Sequence, residues 1–436
     1  MTLAMMRSGM LIDLDHFDKM DKTLTCDMDK VTEDVHRTTG YYINLDSGDQ
    51  VSDLLFKKLG LKQARPSLTK SGDRESVEEE VLLAIQHDHP CIPLILEYKE
   101  FSKLRGTYVR PMPKLAKRTA FGEWKLFPRL GSTRVPSGRF NSYDPNLLAI
   151  PTRTERGREI RDGFPAPSGW VYCSVDESQI EVREAAHDSG DPGLIKIYEN
   201  EEDIYSDFAT AAFKLEDKRY FDKEAKKWKY PTVDKNEHRF PAKTCVLASI
   251  YDVSAKGLLE QMPIICANCK KESTKHDCHK FESYWTENKC QDLLNAFYLK
   301  YPGVLTDRKK NHRRAMNKAY VWCMWGRLLH VQAVRSVHEW VVSAALREAG
   351  NFPYQSGAGG TFKLTMGAFN EDIENGLEEV VVPHLPIHDE LVFTAREDIA
   401  DEAIELLKYR FETCVRLRVP IKAGGAKAAT WGQLEK

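Results

Sequence analysis

Two aspartates and two cations in this chain have the types and neighbours that could handle phosphate chemistry. Asp176 ends a β-branched and aromatic run at 170–175, and Asp389 lies between two apolar runs at 379–387 and 391–394. Each carboxylate is thereby predicted at the end of a strand. They are 213 residues apart in sequence, yet a sheet could hold them side by side. Between them Arg239 and Lys243 stand four residues apart, and Leu247 and Tyr251 continue the stripe on a helix that Pro241 opens. Two carboxylates facing such a clamp can bind divalent metals with a phosphate between them. Metals about 3.5 to 4 Å apart stabilise the entering and leaving oxygens of an in-line displacement. On residue type alone either aspartate could instead be a turn or cap residue, and the cations a solvated helix face.

The elements that must carry these side chains follow from local pattern. Residues 1 to about 110 are predicted to be mostly helical, with apolar residues at spacings of three and four in 49–59 and 76–85. Ser76 with Glu79 reads as a capping box. A helix follows Asp176 over 178–186, the lysine-rich stretch 214–235 reads as a loop, and 379–394 reads as a hairpin with His388, Asp389 and Glu390 at its tip.

Composition bounds the rest. The 436 residues allow roughly three compact units, and 42% hydrophobic with 29% charged residues exclude disorder as the dominant state. With 63 basic and 65 acidic residues the net charge is −2, but seven basic residues face one acidic residue over 114–139, and twelve face six over 266–318. Basic stretches of this kind suit phosphate contacts, as do Arg308, Lys309, Lys310, Arg313 and Arg314. No apolar run approaches the 18 or more residues of a spanning helix, and the start lacks a signal-peptide pattern. A soluble cytoplasmic protein with no membrane partner is expected. Ten cysteines are too few for a disulfide scaffold, although Cys266, Cys269, Cys278 and Cys290 crowd into 25 residues.

Asp176-Glu-Ser-Gln-Ile-Glu-Val-Arg183 resembles motif A of the family A DNA polymerases. Arg239 with Lys243 and Tyr251 resembles the motif B frame, and Ile387-His-Asp-Glu-Leu-Val-Phe393 resembles motif C. Arg158-Glu-Ile-Arg161, Asp203-Ile204, Asn351-Phe-Pro-Tyr-Gln355 and Ala429-Thr-Trp-Gly432 agree in order, so the resemblance covers essentially the whole chain. It implies an α+β right-hand fold. A helical thumb and basic connection would occupy 1–136, palm 137–200 with motif A, fingers 201–318 with motif B, and the antiparallel-sheet palm would finish over 319–436 with motif C. Asp176, Asp389 and the backbone carbonyl of Glu177 would hold two Mg²⁺ ions, with Mn²⁺ able to substitute. Lys243 would be the proton donor to pyrophosphate. Arg239, Lys243, Leu247, Tyr251, Gln179, Glu181 and Tyr205 would form the dNTP site, with Glu181 beside Tyr251 excluding a 2′-OH. Arg139, Arg347, Asn351, Gln355 and His388 would touch primer-template DNA.

Several positions depart from the family pattern. Leu247 stands where Phe or Tyr is usual, Glu177 replaces Tyr, and Asp252 replaces the Gly after Tyr251. Tyr205 replaces His, Leu148 replaces Gln, and Gly359-Gly360 replaces Ala-Asp, which together suggest a phage-like or mobile-element-like branch. The 43 residues between Gly257 and Tyr301 exceed what the family spends there. Cys266, Cys269, Cys278 and His279 within them could hold a structural Zn²⁺, the alternative being a loop with reduced thiols. The chain begins in the thumb-like region, so no proofreading domain is expected, and an exonuclease or processivity factor would be a separate partner. The rival readings are a two-metal nuclease or strand-transferase and a non-catalytic nucleic-acid-binding module.

Overall fold

Asp13 opens helix α1 (Leu14–Thr39) by accepting a hydrogen bond from the His16 N–H at 3.0 Å, and Gly40 closes it in a left-handed conformation with φ 76°. The apolar stripe of α1, Phe17, Met20, Leu24, Met28, Val31 and Val35, is buried against helix α2 (Cys91–Leu104). The computed structural model describes residues 1–63, 68–69, 74–152, 154–263, 265 and 284–434. The predicted capping box is not formed. Glu78 stands at the N-cap position of the short helix Glu79–Ala84 without a side-chain capping bond, and Ser76 Oγ accepts from the Glu78 N–H at 3.3 Å, too early in the chain to reach the free N–H groups of the first turn.

Strand β1 (Trp170–Glu177) leads into α3 (Ile180–Ser189) and α4 (Ile204–Ala212). The lysine-rich stretch that followed as a predicted loop is a hairpin, β2 (Tyr220–Asp222) and β3 (Lys227–Lys229). A cross-strand pair holds it: Phe221 and Trp228 meet edge to face at 5.7 Å, and Trp228 Nε1 donates to the Asn200 carbonyl at 2.9 Å. Helices α5 (Phe240–Ile250), α6 (Glu287–Lys300) and α7 (Pro302–Lys318) complete the helical layer. Next come the hairpin β4 (Tyr320–Trp322) and β5 (Leu328–His330) and the 34-residue helix α8 (Glu339–Asp372). Strands β6 (Val381–Ile387) and β7 (Glu390–Arg396), helix α9 (Ala400–Thr413) and strand β8 (Ala423–Ala428) end the chain's regular structure.

The central sheet has the order β6-β7-β1-β8 and is antiparallel throughout. Its register sets Asp176 opposite Glu390 on one side and Gly424 on the other. Strand alternation places Ser174 and Asp176 on one face and Val175 and Glu177 on the opposite one. Helix α8 packs on the sheet through Phe369 against Phe393, and Phe362 stacked on Phe411 joins it to α9. One apolar core joins α1, α2 and the sheet to these helices. A second lies among α3, α4, α5 and α6 and takes Tyr354 from α8, so α8 ties both cores together. This is the right-hand arrangement, with an antiparallel sheet as palm. Among the described residues no helix is long and apolar enough to cross a membrane.

Candidate active site

The two aspartates are joined through the backbone. Asp389 sits in the two-residue turn between β6 and β7, where His388 takes a left-handed φ of 55°. The Glu177 N–H donates to the Asp389 carbonyl at 3.0 Å, which locks the end of β1 to that turn. Asp176, His388, Asp389, Glu390 and Arg161 line one cavity of about 420 Å³. Hard carboxylate oxygens on a rigid backbone suit Mg²⁺ or Mn²⁺ and disfavour soft metals. The Glu177 side chain takes the opposite face, is 3% exposed, and neither of its oxygens has a hydrogen-bond partner among the described residues. Burial, then the nearby Asp389, Glu184 and Asp176, hold its carboxyl well above the usual carboxylate range.

Beside this pair, Glu181 lies in the first turn of α3 and is 8% exposed. It accepts hydrogen bonds from both the Arg139 guanidinium and the Tyr251 hydroxyl. Arg139 is also 3.8 Å from Asp389 Oδ1, so one guanidinium bridges the motif A helix and the motif C turn. Burial and then Glu181 push the Tyr251 phenol above its ordinary range, which keeps it a donor. Gln179, at φ 56°, accepts from the Tyr198 hydroxyl at 3.0 Å.

The cationic stripe forms across the start of α5, with Arg239 at its N-cap position and Pro241 in its first turn. Arg239 donates to both oxygens of Asp203, Nε to Oδ2 at 2.7 Å and Nη2 to Oδ1 at 3.0 Å. Its guanidinium lies 5.2 Å from the Tyr205 ring centre and the Lys243 ammonium 5.7 Å from the same ring. Burial, with Asp203 adding to it, pushes the Tyr205 phenol up to about 12. Leu247 is half-buried against the second core.

Arg347, Asn351 and Gln355 recur every four residues on α8 and share a face. Arg347 and Asn351 line a cleft of about 370 Å³ with Tyr251, and Asn351 and Gln355 line another of about 220 Å³ with Ser137. His388 is exposed at the turn. Cys266, Cys269, Cys278 and His279 lie outside the described residues. Cys290 is a buried thiol of α6, pushed up to about 11 by burial.

Sequence reasoning missed three participants. Glu390, cross-strand to Asp176, and Arg161, whose Nη2 donates to the Ile150 carbonyl at 2.9 Å, both reach the cavity. Asp203 holds Arg239 while capping α4 through the Ser206 N–H at 3.2 Å. Its position just before Ile204 was the one available signal.

A four-stranded antiparallel palm with Asp176 near a strand end and Asp389 in the adjoining turn, below a helical layer, is the right-hand class of fold. Residues 14–433 match the model of DNA polymerase family A, and the chain belongs to that family. It is 30% identical over 425 residues to the thermostable DNA polymerase I of Thermus aquaticus, covering 97% of this chain and 46% of that one. It is 28% identical over 438 residues to DNA polymerase I of Pseudomonas aeruginosa, covering 98% and 42%. The chain thus spans less than half the length of these curated relatives. Among solved structures, the POL domain of Pol1 from M. smegmatis, in complex with DNA primer-template and dNTP, superposes with a TM-score of 0.81 at 24% identity, covering 99% of this chain and 68% of that one.

Proposed function

We propose that the chain is a template-directed DNA polymerase that adds dNMP to a primer 3′-OH and releases pyrophosphate. The observation that supports this reading is that Asp176 and Asp389 line one cavity, with Asp389 tied through Arg139 to the Glu181–Tyr251 pair. Two divalent cations, Mg²⁺ or Mn²⁺, held by Asp176, Asp389 and the Glu177 carbonyl, would activate the primer hydroxyl and neutralise the triphosphate. Arg239 and Lys243 grip the triphosphate, Arg239 exchanging Asp203 for phosphate oxygens of higher charge density. Lys243 then gives a proton to the leaving pyrophosphate. Glu181, held by two donors, presents its side chain to the sugar with Tyr251 and leaves no room for a 2′-OH.

Arg139, Arg347, Asn351, Gln355 and His388 hold the primer-template. Minor-groove acceptors recur in every base pair, so such contacts check pair geometry without reading sequence. The chain divides into thumb 1–136, palm 137–200 and 319–436, and fingers 201–318. We place the reaction in the cytoplasm of a bacterial or phage-infected cell, with a separate exonuclease or processivity factor as partner. Primer extension with dNTPs and Mg²⁺ tests the reading. Template-dependent extension that chelator abolishes supports it; cleavage without extension would favour a nuclease, and DNA binding alone a non-catalytic module.

A further inference from the structure

We infer that Asp252 and Arg308 form an anchor that positions the Tyr251–Glu181 pair and so sets discrimination against ribonucleotides; this deepens the polymerase reading and rests on it. Asp252 follows Tyr251 directly and takes a left-handed φ of 56°, a conformation that glycine, usual here in the family, adopts without cost. The side chain gained at that expense is fully engaged. Asp252 Oδ1 lies 2.9 Å from Arg308 Nη1, and Oδ2 lies 3.1 Å from His312 Nε2.

Arg308 is 4% exposed and reaches further along the same helix end. It donates to the Ser249 carbonyl and to the Tyr298 hydroxyl, and its guanidinium lies 5.0 Å from the Tyr298 ring centre. Tyr298 in turn donates to the Ser249 carbonyl at 3.3 Å. That carbonyl belongs to the last turn of α5, where it also accepts from the Asp252 N–H at 3.4 Å and a cation is favoured. The chain is therefore fixed at Ser249 and at Asp252, on both sides of Tyr251, by groups from α6 and α7. Gly350 of α8 leaves the space for this, because a Cβ there would come within 3.0 Å of His312 Nε2 and 3.5 Å of Asp252 Oδ2.

From Tyr251 the contacts continue to Glu181, to Arg139 and to Asp389. Arg308, expected from sequence to contact phosphate, is instead buried with its guanidinium on Asp252, Ser249 and Tyr298. Asp252 and Arg308 are positioning residues, acting through the Tyr251 hydroxyl on the carboxylate that excludes the 2′-OH.

The test compares dGTP with GTP opposite template dC on wild type, Asp252→Asn and the double variant Asp252→Asn/Arg308→Met. Asn keeps the size and the tolerance of left-handed φ while removing the charge. The double variant leaves no unpaired buried cation and so keeps its fold. The kcat/KM ratio of dGTP over GTP should fall at least about fivefold in both variants, through a lower KM for GTP, with kcat for dGTP within about twofold of wild type. A merely structural role would lower both nucleotides together. Ratios unchanged in both variants, or lowered only in step with thermal stability, would overturn the anchor and leave the polymerase reading standing. A wild type that extends no primer would overturn both.

Discussion

Glu184 offers a direct check on the buried electrostatics beneath the site. It lies on α3 with no exposed surface; Oε1 accepts from Thr361 Oγ1 at 2.8 Å, and Oε2 has no hydrogen-bond partner among the described residues. Burial pushes its carboxyl up to about 8, against the opposing Thr361 hydrogen bond and with the charge of Asp188 adding to the rise. An acid whose folded value is raised binds its proton more tightly in the native state. Stability is therefore independent of this group below the ordinary 4.5, falls between 4.5 and about 8, and is level above. At about 1.4 kcal/mol per pH unit across that window, the whole loss is on the order of 5 kcal/mol. Glu184→Gln keeps the shape and cannot ionise. Urea unfolding of the two proteins from pH 5 to pH 9 should show the difference in favour of Gln growing by about 3 to 4 kcal/mol over that range. Parallel curves would refute the argument, because they would mean that Glu184 ionises in the folded protein as easily as in the unfolded one.

Arg239→Ala should raise KM for dNTP by about 10- to 100-fold, the loss of charged hydrogen bonds worth roughly 1.5–3 kcal/mol, with a smaller change in kcat; an unchanged KM would remove Arg239 from the triphosphate clamp. Leu247→Phe restores a ring on the α5 stripe and should speed single-turnover incorporation or tighten dNTP binding, so equal rates and equal affinities for the two proteins would show that the ring is irrelevant here. At Gly360 a Cβ would collide with the Trp325 indole, whose Nε1 donates to the Gly357 carbonyl at 2.9 Å. Gly360→Ala should cost about 1–3 kcal/mol by thermal unfolding, and a neutral result would mean that the indole moves aside freely.

What the sequence disclosed was local. The strand ending at Asp176 and the hairpin around Asp389 are short patterns, and strand alternation settles which face each side chain takes. The near-neutral total was uninformative because basic stretches such as 114–139 are offset elsewhere in the chain. Hidden from the sequence were pairings made by packing across distance. Arg239 with Asp203, Asp252 with Arg308, and Glu184 with Thr361 are 36, 56 and 177 residues apart. Nothing in local propensity marks those partners. The hairpin of β2 and β3 was missed because its strands are short and dense in lysine, so that the Phe221–Trp228 contact, not apolar alternation, defines the pairing.

The carboxylate pair is the centre of the account, and single-nucleotide incorporation under single-turnover conditions tests it most directly. Wild type, Asp176→Ala and Asp389→Ala are each given primer-template, the templated dNTP and Mg²⁺, with primer-template binding measured in parallel. Templated addition by the wild type is expected, with a loss of at least about a thousandfold in rate for each variant and binding retained. Addition by either variant within about tenfold of wild type would contradict it.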